Sequence, residues 1–211
     1  MINFDGLSPE VMEAMCTPMH LILPPASLPA SPTSHTGALY LGSLAASIDK
    51  ELLRTHRISY LVQVLDAPWL PSPFDGIRCH RIDILDLPGA DLKSHLAEAC
   101  DVIDGAIARG ENVLVHCQQG VSRSAAIVIA YLISRHNMSF DAAHELVRKK
   151  RPCIKPNAGF VSCLREWEGM WRRRGAVQSS GAHGSGYAQP SSYGSGDAPQ
   201  RQPMRRTMSS R

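Results

Sequence analysis

The sequence predicts an α/β fold, and two observations carry that prediction. The first is a strand–loop–helix unit, in which the short apolar run Asn112-Val113-Leu114-Val115 leads through a glycine-containing loop into an apolar stretch over residues 124–133. The second is alternation elsewhere in the chain, with strand signals at 20–23, 38–41 and 82–85 and apolar stripes of helical spacing at 92–107 and 160–171.

Taken in order, residues 20–23 and 38–41 are short apolar runs. Between them residues 24–36 hold four prolines, three serines and two threonines, the composition of an extended surface connection. Ile82-Asp83-Ile84-Leu85 alternates like a half-buried strand and runs into the turn Leu87-Pro88-Gly89. Leu92, Leu96, Ala99, Ile103 and Ile107 lie on one helical face, with Asp91 placed to cap it. Residues 112–115 read as a buried strand, and 124–133, apolar nearly all round, as a buried helix. Phe160, Leu164, Trp167 and Trp171 share the last helical face and read as core, with Asn157 placed to cap it.

The chemistry is concentrated in the run from His116 through Ser124, where Cys117 and Arg123 bracket Gln118, Gln119, Gly120, Val121 and Ser122. A loop between a strand and a helix N-terminus gathers free backbone N–H groups, and the helix dipole favours negative charge there. Only about 3% of an ordinary cysteine thiol is ionised at neutral pH, and the thiolate is the nucleophile. A helix N-terminus, an arginine and converging N–H donors are the features that shift this balance. Arg123 adds a planar fork suited to two phosphoryl oxygens, and Gly120 permits the backbone path of a cradle. The Ser124 hydroxyl is placed to stabilise a departing thiolate. A lone cysteine is ordinarily an inert small hydrophobe and a lone arginine a solvated charge, but here Cys, Gly, Arg and Ser fall in one register between strand and helix signals.

This run, His116-Cys117-x-x-Gly120-x-Ser122-Arg123-Ser124, resembles the signature of the cysteine-dependent protein tyrosine phosphatases, in their dual-specificity branch. The resemblance extends to Leu39-Tyr40-Leu41-Gly42, to the strand-like run over 57–65, and to Arg151-Pro152 followed by Lys155-Pro156-Asn157-x-Gly159-Phe160, so that it spans residues 37–172. It implies a central, mainly parallel sheet of about five strands flanked by helices in a single domain. It also implies hydrolysis of phosphotyrosine and phosphoserine or phosphothreonine, by a small atypical member with no kinase-docking domain ahead of the catalytic one.

Such chemistry needs a general acid for the leaving oxygen. Asp83, Asp86 and Asp91 are the candidates. Asp91 fits an N-cap and Asp83 an outward strand residue, whereas Asp86 enters a turn from which a side chain reaches over a cleft. In the family pattern the acid precedes the leucine opening the next helix by about six residues, the register of Asp86 and Leu92. Cys117 would attack phosphorus, Arg123 and the loop amides would hold the oxygens, and Asp86 would protonate the leaving group and then activate water. His116 is expected either to shape the loop or to be a satisfied core histidine. The resemblance suggests that Asn157 also steadies the loop. No C-x-x-C or H-x-x-x-H pair occurs, so no metal or other cofactor is expected.

Composition sets the remaining bounds. The 211 residues, 44% of them hydrophobic, suit one globular domain, and the six cysteines lack a disulfide-framework spacing. A thiolate enzyme belongs in a reducing compartment, cytoplasm or nucleus. A signal peptide, membrane span or N-myristoyl site is not expected. The chain divides into an N-terminal segment at 1–36, a catalytic domain at 37–174 and a Gly/Ser-rich tail at 175–211 expected to be disordered. Four arginines against Asp197 give the tail +3, the charge of the whole chain, which suits solubility or a weakly held acidic partner. Arg205-Arg206-Thr207-Met208-Ser209 would suit a kinase that reads basic residues. Nucleic acid is not an expected partner. Gln118, Gln119 and Val121 are uncharged, which favours phosphoprotein over the polyanionic substrates of phosphoinositide or RNA 5′-phosphatases. A phospho-binding scaffold is the competing class. Trp69-Leu70-Pro71 lacks the aspartate of the tyrosine-specific branch's acid loop.

Overall fold

The computed structural model describes residues 6, 8–28, 31–67 and 74–180. Along them lie α1 (Pro9–Cys16), β1 (Met19–Leu23), β2 (Ser27–Leu28), β3 (Ser31–His35), β4 (Leu39–Ser43), α2 (Leu44–Ile48), α3 (Lys50–Thr55) and β5 (Ile58–Val64). Then follow β6 (Arg78–Ile82), α4 (Lys93–Ala108), β7 (Asn112–Cys117), α5 (Arg123–Arg135), α6 (Phe140–Lys150) and α7 (Ala158–Ser180).

Five strands form one sheet in the order β1-β4-β7-β5-β6, mixed but mostly parallel, with only β1 antiparallel to its neighbour. β7 is central because it is apolar on both faces, as a parallel strand covered by helices must be. Val113, Val115 and Cys117 turn toward the large core under α4, α5, α6 and α7, while Leu114 turns toward a smaller one with Met19, Ala46, Leu53, Ile58 and Leu61. Every residue of α5 from Ser124 to Ile133 is buried, since α4, α6 and α7 all pack on it. The final helical face is core: Phe160 and Leu164 are fully buried, and the Trp167 indole donates to the Ala130 carbonyl at 3.1 Å.

Three sequence expectations are corrected. Residues 24–36 do not merely connect, because β2 and β3 pair as a small antiparallel ribbon closed by the Thr36 N–H donating to the Ala26 carbonyl at 2.8 Å. The strand expected over 82–85 instead ends at Ile82, where its partner β5 ends at Val64. An edge strand has no second neighbour, so residues 83–86 leave the sheet once that pairing stops. The last helix runs to Ser180, past Gly175 where the tail was expected to begin. Trp69-Leu70-Pro71 and residues 181–211, including Arg205 to Ser209, lie outside the described residues.

Candidate active site

β7 ends on Cys117 and α5 begins on Arg123, so the central strand delivers the cysteine to the same point at which the most buried helix opens. The path of the loop between them follows from its carbonyls. Gln118 O accepts from Leu44 N–H at 3.3 Å, Val121 O from Lys155 N–H at 2.8 Å and Ser122 O from Ala126 N–H at 2.9 Å. Gln119 O accepts from Arg151 Nη2 at 3.0 Å and Gly120 O from Arg151 Nε at 2.9 Å. In a planar trans peptide the N–H points away from its carbonyl, so five outward carbonyls turn the amides of 119–123 into the ring. That ring is a nest for an anion. The Gly120 N–H and the Ser124 hydroxyl both donate to the Cys117 sulfur at 3.2 Å. Gly120 takes a φ of 69°, and a Cβ there would stand 2.5 Å from the Gly42 carbonyl, so the loop requires glycine twice over.

The far rim is built by Asp86. Asp86 Oδ1 accepts from the Ser122 hydroxyl at 2.6 Å and from Asn157 Nδ2 at 2.9 Å, and its Oδ2 lies 3.6 Å from Arg123 Nε. Arg123 Nη1 donates to the Ile84 carbonyl at 3.3 Å. Asn157 caps α7 through the Phe160 N–H at 3.0 Å, and its own N–H donates to Ser122 Oγ at 3.2 Å. One residue thus starts the helix and holds both Asp86 and the loop. A Cβ at Gly159 would fall 1.8 Å from the Pro88 carbonyl, so this glycine lets the Asp86 turn rest on the helix. Of the other candidate acids, Asp83 lies 3.6 Å from Arg81 Nη2. Asp91 accepts from the Ser94 N–H at 3.2 Å, a helix-starting bond that lowers its pKa.

Arg151 is the residue to which sequence reasoning gave no role. It is fully buried, an unusual place for an arginine. Besides the two loop carbonyls, its Nη1 donates to Thr17 O at 2.9 Å and meets His20 Nδ1 at 2.8 Å. Burial, reinforced by the Arg151 charge, holds the His20 pKa at about 4, so the ring is neutral at pH 7 and offers Nδ1 as acceptor. The only sequence signal was the Arg-Pro pair after a helix.

His116 is fully buried beside Gly42 and Gln63 of the flanking strands, and neither ring nitrogen makes a well-formed hydrogen bond among the described residues. Burial holds its pKa at about 4, against which only the Cys117 backbone acts. Its folded pKa is depressed, so no penalty arises above pH 6.5. As pH falls from 6.5 to 4 the unfolded chain gains this proton and the folded one does not. Unfolding free energy should therefore drop by up to about 3 kcal/mol across that window through His116. Urea titrations at pH 7 and 4.5 check this, and His116→Gln should lessen the dependence while leaving the share of His20, whose pKa burial also holds at about 4.

Among the described residues no group of three or more His, Cys, Asp or Glu side chains is placed to hold a metal, and no helix is long and apolar enough to cross a membrane.

The family model for the dual specificity phosphatase catalytic domain matches residues 39–170. The dual specificity protein phosphatase MPK-4 of Drosophila melanogaster is 43% identical over 140 residues, covering 65% of this chain and 35% of that protein. Dual specificity protein phosphatase 1B of Arabidopsis thaliana is 40% identical over 130 residues, covering 62% of this chain and 77% of that one. The chain thus spans about a third of the fly relative and about three quarters of the plant one. Among solved structures, human DUSP28 matches with a TM-score of 0.62 and 33% identity over 64% of this chain and 94% of its own. The human tyrosine phosphatase-like serine/threonine/tyrosine-interacting protein matches with a TM-score of 0.63 and 31% identity over 73% of this chain and 97% of its own. By the match over residues 39–170, and by the loop, acid and helix cap assembled around Cys117, this chain belongs to the dual specificity phosphatase family.

Proposed function

We propose that the chain is a phosphoprotein phosphatase acting on phosphotyrosine and phosphoserine or phosphothreonine through a phosphocysteine intermediate. The observation that carries this reading is the Cys117 sulfur, held by two donors at 3.2 Å within a ring whose carbonyls all turn outward. Phosphate oxygens enter that ring, with Arg123 as the fork at its closing end. Cys117 attacks phosphorus in line with the leaving oxygen. The Ser122, Asn157 and Arg123 contacts hold Asp86 over the loop, where it protonates that oxygen and, as a carboxylate, takes the proton from the water that cleaves the S–P bond. The Ser124 hydroxyl then supports the thiolate as it departs.

Asp86→Asn tests this assignment. It is expected to lower kcat/KM by about 10²- to 10⁴-fold on phosphoserine and phosphothreonine peptides, whose alkoxides leave poorly, and by much less on p-nitrophenyl phosphate. Equal effects on both leaving groups would remove Asp86 from the acid's role.

Phosphoprotein is favoured over phosphoinositide and RNA 5′-phosphate because Gln118, Gln119 and Val121 bring no positive charge to the cradle. Turnover is favoured over a binding scaffold because Cys117, Arg123 and Asp86 are all present at one site. Phosphate release from phosphotyrosine and phosphothreonine peptides, phosphoinositides and triphosphate RNA separates these substrates. Cytoplasm and nucleus fit a catalytic thiol, and the tail's arginines fit an acidic partner.

A further inference from the structure

Beside the catalytic loop, on the side away from Asp86, lies a cavity of about 370 Å³ lined by Met15, Leu44, Ala45, Ile48, Gln118 and Gln119, with Ser43 at its base. Among the described residues, no charged side chain lines it. Ser43 Oγ is already engaged with the Pro18 carbonyl at 3.3 Å, and the Gln118 carbonyl with the Leu44 N–H. Its mouth carries Ile48, 55% exposed, one of only four large apolar side chains so exposed among the described residues. Two others, Leu85 and Leu87, flank Asp86 across the loop. Apolar exposure is thus concentrated on both rims of one cleft, as at a recognition surface.

We infer that this cavity is a specificity subsite that seats a large apolar side chain of the phosphoprotein substrate, from a residue close in sequence to the phosphorylated one. The inference rests on the phosphoprotein reading above. Continuity decides the occupant: Gln118 and Gln119 belong both to the anion ring and to the cavity wall, so a chain whose phosphate fills the ring passes the cavity mouth. Chemistry decides the side chain. A Leu, Met or Phe placed there loses water against Met15, Leu44 and Ile48, whereas a charged residue would lose its hydration and find no counter-charge. The wall across the cleft differs, since its cavity sets Asp66, Asp83 and Asp91 beside Leu85 and Leu87 and so burdens an apolar occupant with carboxylates. The preference for an apolar residue is therefore specific to the Ile48 side.

The test is a panel of phosphotyrosine peptides identical except for Leu, Ala, Lys or Asp at each position from −3 to +3, assayed with the wild type, Ile48→Ala and Ile48→Asp. At one flanking position the wild type should prefer Leu over Asp by about ten-fold or more in kcat/KM. Ile48→Asp should reduce this preference to less than about three-fold, with Ile48→Ala between, while turnover of p-nitrophenyl phosphate, too small to reach the cavity, stays unchanged. A wild type indifferent to every flanking residue would overturn the subsite. So would an Ile48→Asp variant that keeps the preference, or that slows p-nitrophenyl phosphate and peptides alike. Absence of turnover by folded wild type on any substrate would instead refute the phosphatase reading. The affinities of Cys117→Ser for the same peptides then read the subsite directly, a Leu preference supporting it and uniform affinity overturning it.

Discussion

Cys117→Ser is expected to abolish turnover, lowering kcat on the order of 10⁵-fold or more, because it removes the proposed nucleophile while leaving the cradle in place. The sulfur accepts two hydrogen bonds, from the Gly120 N–H and the Ser124 hydroxyl, which fix its place at the floor of the ring. A serine hydroxyl at the same point is smaller and remains protonated at neutral pH. It presents a poor nucleophile to the same phosphorus. The loop carbonyls, Arg123 and Arg151 do not depend on the sulfur, so the variant should unfold within about 1 kcal/mol of the wild type and still bind phosphotyrosine peptides. Steady-state assay with p-nitrophenyl phosphate, paired with denaturant titration, checks both halves. Acid-quenched wild type should carry one added phosphoryl group on Cys117 by mass spectrometry, and the variant none. Turnover of the purified variant within a factor of ten of wild type would place the nucleophile elsewhere.

Arg151→Met should damage both the fold and the chemistry. Its guanidinium reaches four acceptors: the carbonyls of Thr17, Gln119 and Gly120, and His20 Nδ1. Methionine fills comparable volume but leaves these groups without their donor, the Gly120 carbonyl buried and the other three partly so. A stranded buried acceptor costs about 1–3 kcal/mol and a partly exposed one less, and relief of the arginine's own desolvation offsets part of the total, so a net loss of about 3 kcal/mol is expected. The catalytic cost has a separate cause. Among the described residues, two of the five outward carbonyls that turn the ring's amides inward are held by this side chain alone, and a donor misplaced by about 1 Å lowers rate by about 10²-fold. Loss should fall mainly on kcat. Arg151→Lys should recover part of the stability but little of the rate, since one ammonium cannot span two loop carbonyls and Thr17 together. Denaturant midpoints and kcat for both variants decide the matter, and a methionine variant with wild-type kcat would mean that other contacts shape the loop.

Legibility in the sequence followed the range of the interactions involved. Central β7 and buried α5 were readable because continuous apolar runs on both faces leave one environment that satisfies them. The smaller helices were harder. α1 and α6 carry capping serines, Ser8 and Ser139, which accept from the N–H groups of Val11 and Ala142, yet short amphipathic segments give weak periodicity. The end of β6 at Ile82 was not readable, because alternation continues through Leu85 and only the length of its partner stops the ladder.

For the site, sequence by itself determined the local chemistry: a cysteine and an arginine bracketing a glycine loop between strand and helix, with Ser124 beside them. These residues are near one another in the chain, so spacing alone carries their geometry. Tertiary structure alone decided what holds that loop open and which carboxylate faces it. Arg151 lies 31 residues beyond Gly120, and Asp86 stands 36 residues before the Ser122 that binds it. No periodicity links positions so far apart. They meet because the parallel strands bring the ends of β6 and β7 to one edge and the Asn157 cap of α7 binds there, so the packing of the whole domain sets a carboxylate above a readable loop.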